Sequence, residues 1–508
     1  MRLVRRRCIS SLAIVLSATG CATLGEHFAA HLESPSPHVS DCAQWYRALD
    51  AKVGAAGVRD AQHARVGGFP YLRVDRALAS LAPRAASSEA ALHAFAERAL
   101  ELDIESRRHE IDNLPRENFD SLPDVHAGFN RTYLLRRTRD CGHILRDVDL
   151  AKPEARAALL RRATVPDDYS TWLRAVGLYP LTRLAFAAGV RRWQERTLAA
   201  FERGPATPPG ASRVRYAPPP SATLPRAAVA GVLSRARFDA LGQPRVSERE
   251  LGLLAATYAP SFDIAVAADY DRFGRLRWRR GAAVPEPDGG EPAVYVHSAY
   301  ARYDEEVLLQ IVYTLWFSQR PPRGDVDLLA GRLDALVWRV TLAPDGAPLL
   351  YDAIHPCGCF HQFFPTPRAR PRPAPDPLEE WAFVPQTLPR VEEGERPVVS
   401  IASATHYVER VALVRGTDSL VRYAFYGYDE LRSMPDMAGG RRSAFGPDGR
   451  IPGTGRAERL LFWPAGIASA GAMRQWSRHA TAFVGRRHFD DADLVERRFE
   501  LDLEEARR

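Results

Sequence analysis

The sequence predicts an α+β protein of several domains: a helical N-terminal region, a central mixed α/β region with a β-hairpin, and a β-rich C-terminal region. Three observations predict this. Apolar residues recur at helical spacing through residues 41–202. Short alternating apolar runs replace them further on, and two proline-rich passages interrupt the chain. A length of 508 residues suits two to four domains.

In "DCAQWYRALDAKV", Trp45, Leu49 and Val53 lie four apart, as an amphipathic helix requires. "SSEAALHAFAERALELDIESRRHEI" places Leu92, Phe95, Leu100 and Ile104 on or near one face of a longer helix. "PEARAALLRRA" and the stretch from Asp167 to Phe201 add more helix, broken at Pro180. Residues 203–226 are too rich in proline for a helix or a central strand and predict an extended linker.

The mixed α/β domain is expected over 227–366. Ser247 and Glu250 form a capping box before "LGLLAATYA". "PSFDIAVAADYDRFGRLRWRR" reads as strand, turn and strand, and "AVYVHSAY" as a further strand. "EEVLLQIVYTLWFSQ", with Asp304 as cap, reads as a helix carrying Glu306, Gln310 and Tyr313 along one face. "LDALVWRVTLAPDGAPLLYDAIH" is a hairpin: two apolar runs joined at Pro344-Asp345-Gly346. A second Pro/Arg-rich linker is expected over 367–395, and a β-rich region over 396–508. In that region "PVVSIASATHYVERVALVR", "LVRYAFYGY" and "RLLFWPAGI" read as strands before a polar, helical tail.

The first residues give an address. Arg2, Arg5, Arg6 and Arg7 precede an apolar run of about a dozen residues, a signal peptide's pattern and too short to span a bilayer. The run ends at Ala18, Thr19, Gly20 and Cys21. This resembles the lipobox of bacterial lipoprotein precursors, with Ala18 where leucine is commoner. The resemblance covers residues 1–21 and implies a signal peptide over 1–20, acylation of Cys21, and a lipid tether over 21–40. Ala22 after the cysteine, in the Gram-negative family, implies the periplasmic face of the outer membrane. The whole chain also resembles in pattern a proteobacterial lipoprotein of no named family, a likeness that implies no particular activity.

The formal charge is +7, falling to +3 once the signal arginines are removed. Arginines are scattered among acids, and Lys52 and Lys152 are the only lysines. No basic face emerges, so nucleic acid is not an expected partner. The expected partner is a lipid bilayer, met through the acylated N-terminus.

Of the six cysteines, Cys8 leaves with the signal and Cys21 carries the lipid. A bridge between Cys42 and Cys141, both in the helical region, is favoured for an oxidising compartment. Cys357 and Cys359 lie in "IHPCGCFHQFF", flanked by His355 and His361. Alternate positions share one face of an extended chain, while Pro356 and Gly358 let it curl. Three readings stay open: a metal site of His355, Cys357, Cys359 and His361 for zinc or copper, a C-x-C disulfide or redox pair, and a structural turn. A metal shell would need a further ligand, such as His406 or His297.

No H-E-x-x-H helix, G-x-S-x-G elbow, P-loop or dinucleotide fingerprint is present. Asp269, Asp271 and Gly274 lack the remaining ligands of a calcium loop. His479, His488, Asp490 and Asp491 read as a solvated surface. The expectation is therefore a lipid-anchored envelope protein with a binding or structural role. The alternative is a metal-dependent hydrolase or thiol-redox enzyme centred on the HPCGCFH motif.

Overall fold

The computed structural model describes residues 26–119, 122–123, 130–236, 240–416, 421–437 and 439–503. The signal segment and Cys21 lie outside the described residues. The architecture is α+β, helices first and sheets after.

The helical part packs Pro37–Ala55, Glu89–Asn113, Arg131–Leu150 and Pro153–Arg162 with a small hairpin, Ala64–Val66 and Phe69–Val74. Trp45, Leu49 and Val53 are buried, as their spacing predicts. Cys42 and Cys141 are joined, tying the first of these helices to the third across 99 residues of chain. In the chain-entropy account such a loop adds about 4–5 kcal/mol. The expected tether is partly folded. Glu26–Leu32 is a helix that sinks Phe28 into the core and bonds His31 to Asp149 at 2.9 Å.

Two sheets follow. The larger has six strands, in the order Gln362–Pro365, Pro348–Ile354, Gly331–Leu342, Glu306–Arg320, Ala293–Tyr303 and Ala424–Gly427. All pairings are antiparallel except the last, where Ala424 lies beside Ala293 in parallel. The predicted hairpin supplies its second and third strands. The smaller sheet runs Val408–Arg415, Glu395–Ile401, Ser261–Val266, Ser212–Ala217 and Val421–Arg422. Its core is shared with one face of the larger sheet, through Phe262, Ile264, Val399, Ile311 and Trp338 among others.

Four expectations are corrected. Residues 306–320 form a strand, not a helix. Both its faces are covered: Ile311, Tyr313, Leu315 and Phe317 enter the core between the sheets, and Val312 and Trp316 enter another. Such a strand reads as an unbroken apolar run, which periodicity cannot tell from a buried helix. Gln310 and Tyr313 are buried there, on Thr341 and the Ala255 carbonyl. "RLLFWPAGI" is a helical turn, Arg459–Phe462, followed by a 3-10 turn, Trp463–Ala465. The tail has one short helix, Leu494–Arg498, and then Phe499–Leu501 pairs with Ala369–Pro371 inside the second proline-rich passage. Finally, the His479–Asp491 stretch is not a solvated surface: His479, His488 and Asp490 are buried.

The sheets also cross the expected linkers. Ser212–Ala217, within 203–226, is a strand, and Glu395–Ile401 pairs with Ser261–Val266 across residues 367–395. Among the described residues, no helix is long and apolar enough to cross a membrane.

Candidate functional site

The HPCGCFH motif follows the last residue of strand Pro348–Ile354 and turns back into Gln362–Pro365. Gly358 N–H donates to the His355 carbonyl at 2.8 Å, and His355 N–H to the Cys359 carbonyl at 3.1 Å. The two histidines leave the turn for different carboxylates. His355 Nδ1 meets Asp334 Oδ1 at 3.1 Å, and His361 Nε2 meets Asp352 Oδ2 at 2.8 Å. Arg339 forks onto the same Asp352 at 2.9 and 2.6 Å. His406 Nδ1 lies 2.8 Å from Asp334 Oδ2, and its ring stacks on Phe317. Among the described residues, no three His, Cys, Asp or Glu side chains converge as a metal-binding group.

Cys357 and Cys359 are buried free thiols, hydrogen-bonded to each other. That bond and burial push the Cys359 thiol well above its ordinary value. A reactive cysteine needs the thiolate instead. Asp271 is likewise occupied by protein donors: the Ser403 hydroxyl at 2.7 Å, Ala404 N–H at 2.6 Å and Ala267 N–H at 2.8 Å.

What the turn demands is glycine. Gly358 has φ +89°, and a Cβ there would stand 2.1 Å from the Ala480 carbonyl oxygen. Gly358→Ala is expected to cost about 2–4 kcal/mol, a left-handed backbone penalty plus overpacking. Denaturant unfolding measures it; a loss under about 0.5 kcal/mol, the range of a neutral surface change, would show that the turn relaxes freely.

The chemistry concentrates elsewhere. A cleft of about 890 Å³ opens between the helical part and the edge of the six-stranded sheet. Helix Glu89–Asn113 forms one wall. Ser88 starts it, its hydroxyl accepting from Ala91 N–H at 3.1 Å. Arg98, Glu101, Glu105, Arg108 and Asp112 repeat along its cleft face at steps of three and four. The facing wall is strand Ala293–Tyr303 with His297, Ser298 and Tyr300, then Ala424–Gly427 and the turn carrying Asp429. His63, Asp75 and Asp490 close one side.

Arg432 organises this wall from behind. It is fully buried and forks onto Asp60 at 3.0 and 2.7 Å. Its Nη1 also meets Asp429 at 2.9 Å and Glu105. The two cleft carboxyls thus share one guanidinium nitrogen but respond in opposite directions. Burial and the neighbouring Asp429 push Glu105 up to about 7 against the pull of Arg432. Burial also opposes ionisation of Asp429, but Arg432 and His109 outweigh it and hold that carboxyl at about 2. Burial raises Asp75 and Asp490 as well. Burial and Arg432 keep His63 and His109 neutral, at about 4 and 3. His297, between Tyr428 and Trp476, is lowered to about 3 by burial, and neither of its ring nitrogens has a hydrogen-bond partner among the described residues.

Comparison with known family models, curated proteins and solved structures yields no match. Sequence reasoning singled out the apolar stripe of helix Glu89–Asn113 and passed over its polar one. The signal was present: charged residues at helical spacing beside the buried Asp103, Arg107 and Glu110 make that helix too polar for one solvent face.

Proposed function

We propose that the chain is an envelope protein, anchored by a lipid on Cys21 at the periplasmic face of the outer membrane, that binds an amine-bearing polar ligand in this cleft. One observation carries the ligand class. The cleft lining holds eight carboxyls against five guanidiniums, although the chain as a whole is positively charged. Three of those carboxyls, Glu105, Asp75 and Asp490, are held above their ordinary range, so each gains from an added cation. A ligand ammonium group supplies one, and binding then releases protons.

The test is calorimetry with an amino-sugar oligomer and its N-acetylated counterpart, in two buffers of different ionisation heat. The amine form should bind with proton release, and the acetylated form should bind at least tenfold more weakly. Glu105→Gln should weaken amine binding about tenfold, equal to about 1.4 kcal/mol. Equal binding of the two forms, or of neither, would remove the proposal.

A second reading rests on the opposed pair. Groups whose environments push their pKa values apart are natural acid and base partners. Glu105 as acid and Asp429 as carboxylate base or nucleophile suit cleavage of a glycosidic bond. Release of reducing ends from the same oligomers, abolished in Glu105→Gln, would favour it.

A further inference from the structure

Away from the cleft, apolar side chains crowd one exposed surface. Helix Thr171–Val176 and the start of helix Tyr179–Arg203 present Trp172, Val176, Leu181 and Leu184, with Trp172 74% exposed and Leu181 66%. The helical turn Arg459–Phe462 and the 3-10 turn Trp463–Ala465 add Leu460, 68% exposed, and Trp463.

These elements are neighbours in space. Ser170 N–H donates to the Gly466 carbonyl at 2.8 Å, and Phe186 meets Phe462 at 5.7 Å between ring centroids. Gly177 sits so close to Pro464 that a Cβ would fall 2.5 Å from the proline ring. The two apolar groups therefore form one patch. Contiguous exposed apolar surface of this kind marks an interaction site.

The surroundings indicate the partner. Further along the same helix, Arg191, Arg192 and Arg196 are exposed, and Arg459 is exposed on the turn. None of the four has a carboxylate partner among the described residues. Apolar residues with tryptophan, bordered by free arginines, match the acyl and headgroup layers of an anionic leaflet. The chain ahead of the fold adds a constraint. Only four residues lie between Cys21, the proposed lipid attachment, and Glu26 at the first described helix, five steps of chain in all. Fully extended, they reach about 17 Å, so an acyl anchor keeps the folded body against the membrane.

We infer that the patch formed by Trp172, Leu181, Leu184, Leu460 and Trp463, with its arginine border, is a second membrane contact that docks the folded body onto an anionic bilayer. This contact is independent of the cleft and does not need the acyl chain.

The test uses the chain from residue 22 onward, which carries neither the signal segment nor the acylated cysteine, purified and mixed with vesicles of phosphatidylglycerol or of phosphatidylcholine. It should cosediment with the anionic vesicles and shift tryptophan emission to the blue. Leu181→Glu with Leu460→Glu should weaken that binding at least tenfold while leaving the thermal midpoint unchanged, since both side chains are exposed. Arg192→Glu with Arg196→Glu should weaken it less and flatten its salt dependence. Failure of this chain to bind, or undiminished binding by Leu181→Glu with Leu460→Glu, would overturn the inference. A dimer in sedimentation equilibrium that Leu181→Glu with Leu460→Glu dissolves would also overturn it, assigning the patch to a second copy.

Discussion

Arg432→Met is expected to lower stability by about 3–5 kcal/mol, the cost of breaking a buried ion network from one side. Arg432 is the sole guanidinium that Asp60, Glu105 and Asp429 meet in ion pairs at this wall among the described residues. Methionine fills similar space but leaves three carboxyls facing one another. Asp60 suffers most, because burial raises it and Arg432 is what brings it far below its ordinary value. The contact is also a seam. Asp60, Glu105 and Ser106 belong to the helical part, and Arg432 follows strand Ala424–Gly427. Asn113 Nδ2 reinforces it by donating to the Arg432 carbonyl at 2.7 Å. Denaturant unfolding followed by two probes, one in each part, should therefore show a lower midpoint and loss of coincidence. A midpoint shift worth under about 1 kcal/mol would place the seam's strength in apolar packing instead.

Asp334→Asn is the second large effect, again about 3–5 kcal/mol. Asp334 accepts from His355 and His406, and Arg456 Nη2 lies 3.3 Å away, all fully enclosed. Burial disfavours its charge, but His355 and Arg456 more than compensate and hold the carboxyl well below its usual range. The amide cannot offset two imidazoles and a guanidinium. The variant should also change the pH profile. Burial works against charging His406, yet Asp271 and Asp334 raise it overall. Its folded value thus exceeds the unfolded one, so its stabilisation is full below about pH 6.5 and is lost as pH rises through the folded value. The buried His63, His109, His297, His361 and His479 act oppositely, with folded values of about 3 to 4. The unfolded chain protonates first there, so stability falls as pH drops below about 6.5. Wild-type protein should lose stability steeply between about pH 6.5 and 4 through the depressed histidines, and Asp334→Asn should share that loss but differ above about pH 6.5, where the wild type sheds the stabilisation of His406 and the variant has less to shed. A flat profile across that window would contradict the assignment of these rings as neutral.

The helical part was legible because its helices each have one apolar face: Trp45, Leu49 and Val53 announce the burial they undergo. The hairpin at Pro344-Asp345-Gly346 was legible for a local reason too, since turn chemistry sits in three consecutive residues. Strand Glu306–Arg320 was not, because burial on both faces erases the alternation that distinguishes a strand. Partners distant in sequence were also hidden. Nothing near Ser261 announces that its neighbour is Val398. The cleft was illegible for the same reason: Glu105 and Asp429 meet only through Arg432, and no local spacing joins them. The HPCGCFH motif drew attention by its residue types. In the structure those residues serve a tight turn whose histidines bond to separate aspartates.

The crossing of the sheets over the proline-rich passages has a consequence for how the molecule is made. As the chain emerges from its N-terminus, the helical part can close early, with Cys42 and Cys141 both present in the first third. The smaller sheet cannot. Ser261–Val266 must wait for Glu395–Ile401, and Ser212–Ala217 for Val421–Arg422. Both of these late pairings are parallel, and such non-local pairings form slowly. Until they form, the face of strand Glu306–Arg320 carrying Ile311, Tyr313, Leu315 and Phe317 lacks its complete cover, and such exposed apolar strands aggregate. Chains truncated before residue 395 should therefore need a holding chaperone, whereas those ending near residue 165 should close, under oxidising conditions, into a compact helical unit with the Cys42–Cys141 bridge.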